Sequence, residues 1–186
     1  METLVKKIKV IIVEDDNLIR EGFALMIKST PGFKIVNTYG MCETALEGLL
    51  RDNPDVVLMD IELPGMNGIE GISRIKKMKP DINIIVITVY DNDELVFKAL
   101  CAGASGYLTK NTPPSRLLDS IKEVYEGGAP MSTNIARMVV KSFQKNTSSP
   151  LSPRETEVLE LLSKGKSYHV IANELFVDKE TGFPFC

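Results

Sequence analysis

The sequence predicts an α/β protein built on a doubly wound parallel sheet. Three short apolar runs, at residues 8–13, 56–59 and 82–87, are rich in β-branched residues and lack polar/apolar alternation. Strands of this kind are typically buried on both faces, as in a parallel sheet covered by helices. Helix-like stretches separate the runs, and such alternation favours right-handed β–α–β crossovers.

Two weaker runs complete a pattern of five β–α units. The predicted strands cover residues 8–13, 34–38, 56–59, 82–87 and 106–108. The predicted helices that follow them cover residues 17–29, 42–51, 69–78, 93–102 and 114–126. We place this first domain at residues 1–128.

The chain changes character after two consecutive glycines at residues 127 and 128. Residues 132–144 are predicted to be helical, and a polar segment rich in Ser leads to Pro150. A new helix begins at Ser152-Pro153-Arg154-Glu155, which has the form of a capping box with proline at the first helical position. We therefore predict a linker at residues 129–150 and a small all-α region at residues 151–186.

The bulk composition limits the possible functions. The 186 residues are 44% hydrophobic and 25% charged, with a net charge of −3 and a pI near 5.3, so no general basic field draws the chain to nucleic acid or to an acidic membrane. The cysteines Cys42, Cys101 and Cys186 are scattered, which argues against disulfides and a zinc site. The absence of a signal-like segment predicts a cytoplasmic location. Cys42 and Cys101 are expected to be small core residues of helices.

Polar residues follow four of the predicted strands. Because parallel strands end at one edge of the sheet, these side chains are expected to converge where open α/β folds bind their ligands. Clustered carboxylates repel one another unless a cation lies among them, and Mg2+ prefers such oxygen ligands together with a phosphate. The residues, in chain order, are Glu14, Asp15, Asp16, Asp60, Thr88 and Lys110.

The expected chemistry is phosphoryl transfer. Asp60 can act as a nucleophile toward phosphorus and form an aspartyl phosphate. Lys110 and the metal would neutralise the charge on the transferring oxygens, and the Thr88 hydroxyl would donate a hydrogen bond to one of them.

The loop behind Asp60 contains the stretch PGMNG, residues 64–68. Its glycines, Gly65 and Gly68, permit backbone conformations closed to other residues, and the loop is expected to shape the rim of the site.

Five motifs carry a family resemblance. The stretches VIIVEDDNLIREG, VVLMDIELPGMNGIE, IIVITVYDND and AGASGYLTKNTPP resemble the signature of response-regulator receiver domains. The stretch LSPRETEVLELLSKGKSYHVIANELF is similar to the start of a LuxR-type helix-turn-helix, a pairing typical of the NarL/FixJ subfamily. The resemblance implies a flavodoxin-like receiver with strand order 2-1-3-4-5, followed by an incomplete helix-turn-helix segment.

The resemblance also implies a role for each matching residue. Asp60 is the phosphoacceptor, and Glu14 and Asp15 form the acidic pair that binds Mg2+ together with Asp60. The backbone carbonyl of Glu62 is a further metal ligand, and the side chains of Glu62 and Tyr90 tune dephosphorylation. Lys110 is the salt-bridging lysine, and Thr88 and Tyr107 form a switch pair.

The implied activity is that of a regulator rather than an enzyme. A sensor histidine kinase donates the phosphoryl group, the aspartyl phosphate hydrolyses slowly, and the receiver can form a homodimer through its fourth helix, fifth strand and fifth helix. No membrane partner is expected. The output implied by the resemblance is transcription regulation through DNA binding.

The LuxR-type match is expected to be truncated. Lys179 and Thr181 fall where a recognition helix begins, but Gly182 weakens that helix and Pro184 ends it. Residues 151–186 contain four basic and six acidic residues, the wrong sign for a phosphate-binding surface. We therefore expect no DNA binding by this chain, with Lys179 and Thr181 as a non-functional remnant.

Two alternatives differ in class. The receiver could act only as a protein-interaction module without DNA binding. The chain could also be a phosphatase of the haloacid-dehalogenase type, which uses an Asp-x-Asp pair that Asp60-Ile61-Glu62 imitates only loosely.

Overall fold

In a computed structural model, residues 6–90, 92–145 and 161 are described, and every structural statement below concerns these residues. The chain divides into two compact units, Met1–Ser142 and Phe143–Cys186, of which the first contains the sheet. The described strands are β1 (Ile8–Val13), β2 (Phe33–Tyr39), β3 (Val56–Met59), β4 (Asn83–Thr88) and β5 (Gly106–Thr109). The described helices are α1 (Asn17–Ser29), α2 (Cys42–Asp52), α3 (Gly68–Met78), α4 (Asp93–Cys101), α5 (Pro114–Tyr125) and α6 (Thr133–Lys145).

The five strands form one parallel sheet in the order β2-β1-β3-β4-β5. The predicted fold and strand order are therefore confirmed, and each predicted boundary of these strands and helices lies within one residue of the observed one. The register places Val13 beside Met59 and Thr88 beside Thr109. The residues that follow these four positions consequently emerge together at the carboxyl edge of the sheet.

The core lies on both faces of the sheet, which explains why the central strands lack alternation. In β1, Ile11 and Val13 face a cluster that includes residues of α2, α3 and α4. Val10 and Ile12 face the opposite cluster, which includes residues of α1 and α5. All four side chains are buried, and this two-sided burial is the usual environment of a parallel strand.

Side-chain caps start three helices near the carboxyl edge. An oxygen of Asp16 accepts hydrogen bonds from the first turn of α1, at 2.8 Å from the nitrogen of Leu18. Asn67 caps α3 and Asn92 caps α4 in the same manner. These caps satisfy backbone N–H groups that have no partner within the helix.

The structure corrects one cysteine prediction. Cys42 is buried at the start of α2, as expected, but Cys101 is exposed at the end of α4. The buried positions of α4 are Val96 and Ala99. Cys101 follows Ala99 by two residues, about 200° further around the helix, and therefore points away from the core.

The linker helix predicted at residues 132–144 is present as α6. Its Ile135 is fully buried, and Met138 and Val139 are half-buried against the core. Except for Leu161, the region predicted at residues 151–186 lies outside the described residues. Within the described part, no helix is both long enough and apolar enough to cross a membrane.

Candidate functional site

Three carboxylates converge at the carboxyl edge of the sheet. Glu14 and Asp15 follow β1, and Asp60 follows the neighbouring β3. One carboxylate oxygen from each lies within 4.8 Å of the others. Asp15 is exposed, whereas Glu14 is 2% exposed and Asp60 5% exposed. The structure thus brings together the three side chains predicted to form a metal site.

Lys110 connects two of these carboxylates. Its Nζ lies 2.6 Å from Oε2 of Glu14 and 2.8 Å from Oδ2 of Asp60. The backbone nitrogen of Lys110 donates to the carbonyl of Thr88 at 2.8 Å, which fixes the start of the loop after β5. The ammonium therefore lies within hydrogen-bonding distance of the carboxylate expected to react.

The pKa values of Glu14 and Lys110 are both raised, but for different reasons. Burial raises the pKa of Glu14, although its hydrogen bond with Lys110 opposes the shift. Burial tends to lower the pKa of Lys110, but its hydrogen bonds to Asp60 and Glu14 outweigh burial and raise it. Lys110 therefore remains cationic at neutral pH and neutralises part of the negative charge of the pocket.

Thr88 ends β4 next to the pocket and is buried. Its Oγ1 has no hydrogen-bond partner within the described residues. Since buried hydroxyls are normally paired, the Thr88 hydroxyl is available to donate to an acceptor that the described residues do not supply. A phosphoryl oxygen on Asp60 is an acceptor of that kind.

Tyr107 lies in the middle of β5 and is fully buried. Its hydroxyl donates to the backbone carbonyl of Tyr90 at 2.8 Å, in the loop that follows β4. The ring thus lies in the core while its polar end contacts a loop lining the pocket. This geometry is compatible with the predicted switch pair, but the switch itself stays a prediction.

The two residues predicted to tune dephosphorylation interact at the pocket rim. A hydrogen bond to the Glu62 carboxylate raises the pKa of Tyr90. Both side chains line the same pocket as the three carboxylates. The predicted metal ligand of Glu62 is its backbone carbonyl, and that role also stays a prediction.

The loop behind Asp60 requires two glycines for different reasons. Gly65 has a φ of +75°, a conformation that favours glycine, as expected. Gly68 was expected to need unusual backbone freedom too, but it begins α3 without a positive φ. A Cβ at Gly68 would lie 1.9 Å from the carbonyl oxygen of Asp60, so close backbone approach excludes a side chain there.

The sequence analysis missed two supporting residues. Oε1 of Glu43, at the start of α2, accepts a hydrogen bond from the nitrogen of Met66 at 2.8 Å and so holds the loop behind Asp60. Arg20 of α1 donates to the backbone carbonyls of Glu14 and Asp15. No local motif predicts either contact, because each joins segments that only the fold brings together.

The predicted DNA-contacting remnant cannot be placed in the same way. Lys179 and Thr181 lie outside the described residues. They therefore stay predictions.

Comparison with protein families identifies both parts of the chain. The model described as "Response regulator receiver domain" matches residues 10–122, which include every residue of the pocket described above. The model described as "Bacterial regulatory proteins, luxR family" matches residues 149–181. The first match covers more than half of the chain.

Individual relatives agree with the family assignment. The oxygen regulatory protein NreC of Staphylococcus carnosus is 32% identical over 93% of this chain and 85% of its own length. The transcriptional regulatory protein DegU of Brevibacillus brevis is 30% identical over 94% of this chain and 83% of its own length. The crystal structure of a LuxR-family response regulator from Aurantimonas sp. SI85-9A1 superposes with a TM-score of 0.70 at 30% identity, covering 74% of this chain and 99% of that one. The chain belongs to the two-component response regulators that join a receiver domain to a LuxR-type helix-turn-helix region and regulate transcription.

Proposed function

We propose that Asp60 is the phosphoacceptor of this response regulator. A carboxylate oxygen of Asp60 would attack the phosphorus of a phosphohistidine on a sensor kinase. A P–O bond forms, the P–N bond breaks, and the imidazole leaves with its electron pair. The observation that carries this proposal is that Asp60, Lys110 and Thr88 converge at one edge of the sheet, where the Thr88 hydroxyl has no hydrogen-bond partner among the described residues.

The residues of the pocket fit Mg2+. Glu14, Asp15 and Asp60 offer closely spaced carboxylate oxygens, the donor type that Mg2+ prefers. The backbone carbonyl of Glu62 is proposed as a fourth ligand. When bound, the metal supplies positive charge next to the transferring phosphoryl oxygens.

The protein's own groups support the transfer as follows. The Lys110 ammonium, already hydrogen-bonded to Asp60, stabilises the negative charge of the phosphoryl group. The Thr88 hydroxyl donates to one phosphoryl oxygen, and Tyr107 changes rotamer in response. The Glu62 and Tyr90 side chains, at the pocket rim, tune the access of water for slow dephosphorylation.

The proposed organisation places the receiver at residues 1–128, the linker at residues 129–150 and the LuxR-type region at residues 151–186. The LuxR match favours transcription regulation over an interaction module that lacks DNA binding. We place the chain in the cytoplasm. Its proposed partners are a sensor histidine kinase and, through the fourth helix, fifth strand and fifth helix, a second copy. The excess of acidic residues in residues 151–186 opposes DNA binding by this chain, since a phosphate-binding surface needs positive charge.

Intact-mass spectrometry tests the assignment of Asp60. The chain is incubated with acetyl phosphate and Mg2+, and a gain of one phosphoryl group is expected. The isosteric Asp60→Asn variant should gain none, and removal of Mg2+ by a chelator should prevent the gain in the unmodified chain. Asp55→Asn, outside the pocket, serves as the matched control and should be phosphorylated normally. A phosphoryl gain that persists in Asp60→Asn would overturn the proposal.

A further inference from the structure

The chain returns to the outer edge of the sheet after α5. β5 is the last strand of the sheet, and within the sheet it pairs only with β4, on one side. On the other side, the nitrogen of Tyr107 donates to the carbonyl of Pro130 at 3.0 Å, and Tyr107 forms a parallel bridge with Met131. We call residues 130–140 the linker segment. Its first two residues, Pro130 and Met131, therefore pair with the outer edge of β5.

Gly106 permits this close approach. A Cβ on Gly106 would lie 2.8 Å from Cγ of Pro130 and 2.9 Å from its carbonyl oxygen. These distances are shorter than real Cβ contacts, and Pro130 itself is buried. The glycine at position 106 thus lets the backbone of the linker segment lie directly against β5.

The apolar side of α6 completes the contact. Ile135 is fully buried in the same cluster as Val96 and Ala99 of α4 and Tyr107 of β5. On the same side of α6, Met138 and Val139 are half-buried against this cluster, whereas Val140 is 57% exposed. The contact therefore combines a backbone hydrogen bond with buried apolar area.

We propose that the linker segment is the resident partner of the surface formed by α4 and the outer edge of β5. An unpaired edge strand would offer its N–H and carbonyl groups to another chain. Here the Tyr107 N–H is already used within the chain, and Ile135 fills the adjacent apolar site. While the segment is seated, a second copy cannot use this edge, and a homodimer through it requires release of the segment.

Tyr107 connects this surface to the pocket. Its hydroxyl is bonded to the carbonyl of Tyr90, and its backbone nitrogen is bonded to the carbonyl of Pro130. A displacement of the Tyr107 ring would therefore disturb the cluster that holds Ile135. The proposal concerns the occupancy of the surface and does not depend on phosphorylation of Asp60.

Amide hydrogen exchange of the full chain, measured by NMR, tests the proposal. Ile135→Asp places a charge in the buried site and should accelerate exchange of the Tyr107 amide by about tenfold or more. The reason is that the linker segment would detach more often and break the hydrogen bond from the Tyr107 amide to the Pro130 carbonyl. Val140→Asp introduces the same charge at an exposed position of the same helix and should leave that rate unchanged. The amide of Ile11, in β1, reports whether the rest of the sheet stays folded.

Gly106→Ala provides an independent variant that removes no apolar side chain. It should displace Pro130 and accelerate Tyr107 exchange in the same direction, and it decides the matter if Ile135→Asp fails to fold. Equal Tyr107 exchange in a folded Ile135→Asp variant and in Val140→Asp would overturn the proposal. Protection of Tyr107 that rises with protein concentration would also overturn it, because a second copy would then supply the acceptor.

Discussion

Two ion pairs of this molecule have the same separation but different surroundings. The Nζ–O distance is 2.6 Å both between Lys110 and Glu14 and between Lys98 and Glu94. The first pair is almost excluded from water at the edge of the sheet, whereas the Lys98 and Glu94 side chains are 56% and 76% exposed on α4. Distance alone therefore does not describe what either pair contributes.

The pKa values of Glu14 and Glu94 are shifted in opposite directions. Burial raises the pKa of Glu14 despite its lysine partner. The hydrogen bond to Lys98 lowers the pKa of Glu94, because almost no desolvation opposes it. A buried carboxylate is held at an energetic cost that an exposed one avoids. That cost is consistent with a pocket whose charges serve chemistry rather than stability.

The largest effect is expected from removal of the buried cation. Lys110→Met leaves the Glu14 and Asp60 carboxylates without their common partner and should lower the free energy of unfolding by about 3–5 kcal/mol. Mg2+ should restore part of the loss, because its charge replaces the ammonium and it binds only the folded site. Urea denaturation with and without Mg2+ measures both effects.

Lys98→Met is the matched control for Lys110→Met. An exposed pair four residues apart on a helix contributes little to stability, and this variant keeps the three carboxylates of the pocket, so Mg2+ should stabilise it no more than it stabilises the unmodified chain. Similar losses in the two variants would show that burial does not distinguish the pairs.

A smaller effect is expected from adding one methyl group at two glycines. Gly68→Ala places a Cβ against the carbonyl of Asp60 and should destabilise the protein by about 1–3 kcal/mol. Gly22→Ala, in α1, meets nothing within 4 Å and should stabilise by about 0.5–1 kcal/mol, because alanine favours a helix interior. Thermal unfolding of both variants tests the contrast, which fails if the two shifts have the same sign.

The smallest effect concerns reactivity rather than stability. Burial raises the pKa of the Cys42 thiol to about 12, whereas Cys101 is exposed. In a Cys186→Ser background at about pH 8, a thiol reagent should label Cys101 rapidly and Cys42 only after denaturation, since the thiolate reacts. Peptide mapping by mass spectrometry identifies the labelled residue, and rapid labelling of Cys42 in the folded chain would contradict its burial.

Much of the receiver could be predicted because local and global signals agree. The apolar run at residues 8–13 coincides with β1, and the stretch predicted at residues 17–29 coincides with α1. The pocket could be predicted too, because a parallel sheet brings the residues after its strands to one edge. Asp60 and Lys110 are 50 residues apart in the chain and 2.8 Å apart in space.

The wrong predictions share a cause. Cys101 was expected in the core because cysteine is a small apolar residue, but its position on α4 points it outward. Gly68 was expected to need an unusual backbone conformation, but it is needed because α3 starts against the Asp60 carbonyl. Residue type alone carries neither the rotation of a helix nor the distance between two backbones.

The sequence by itself determined the fold class, the strand order implied by its family resemblance, and the identity of the residues at the sheet edge. Periodicity and motif order are properties of the chain, and they are sufficient for these conclusions. The tertiary structure alone decided which groups are paired and which are not. It placed Lys110 between two carboxylates, left the Thr88 hydroxyl without a partner in the described part of the chain, and packed the linker segment on β5. Such pairings depend on distances of a few ångströms between distant segments, which only the packing of the sheet and its helices sets.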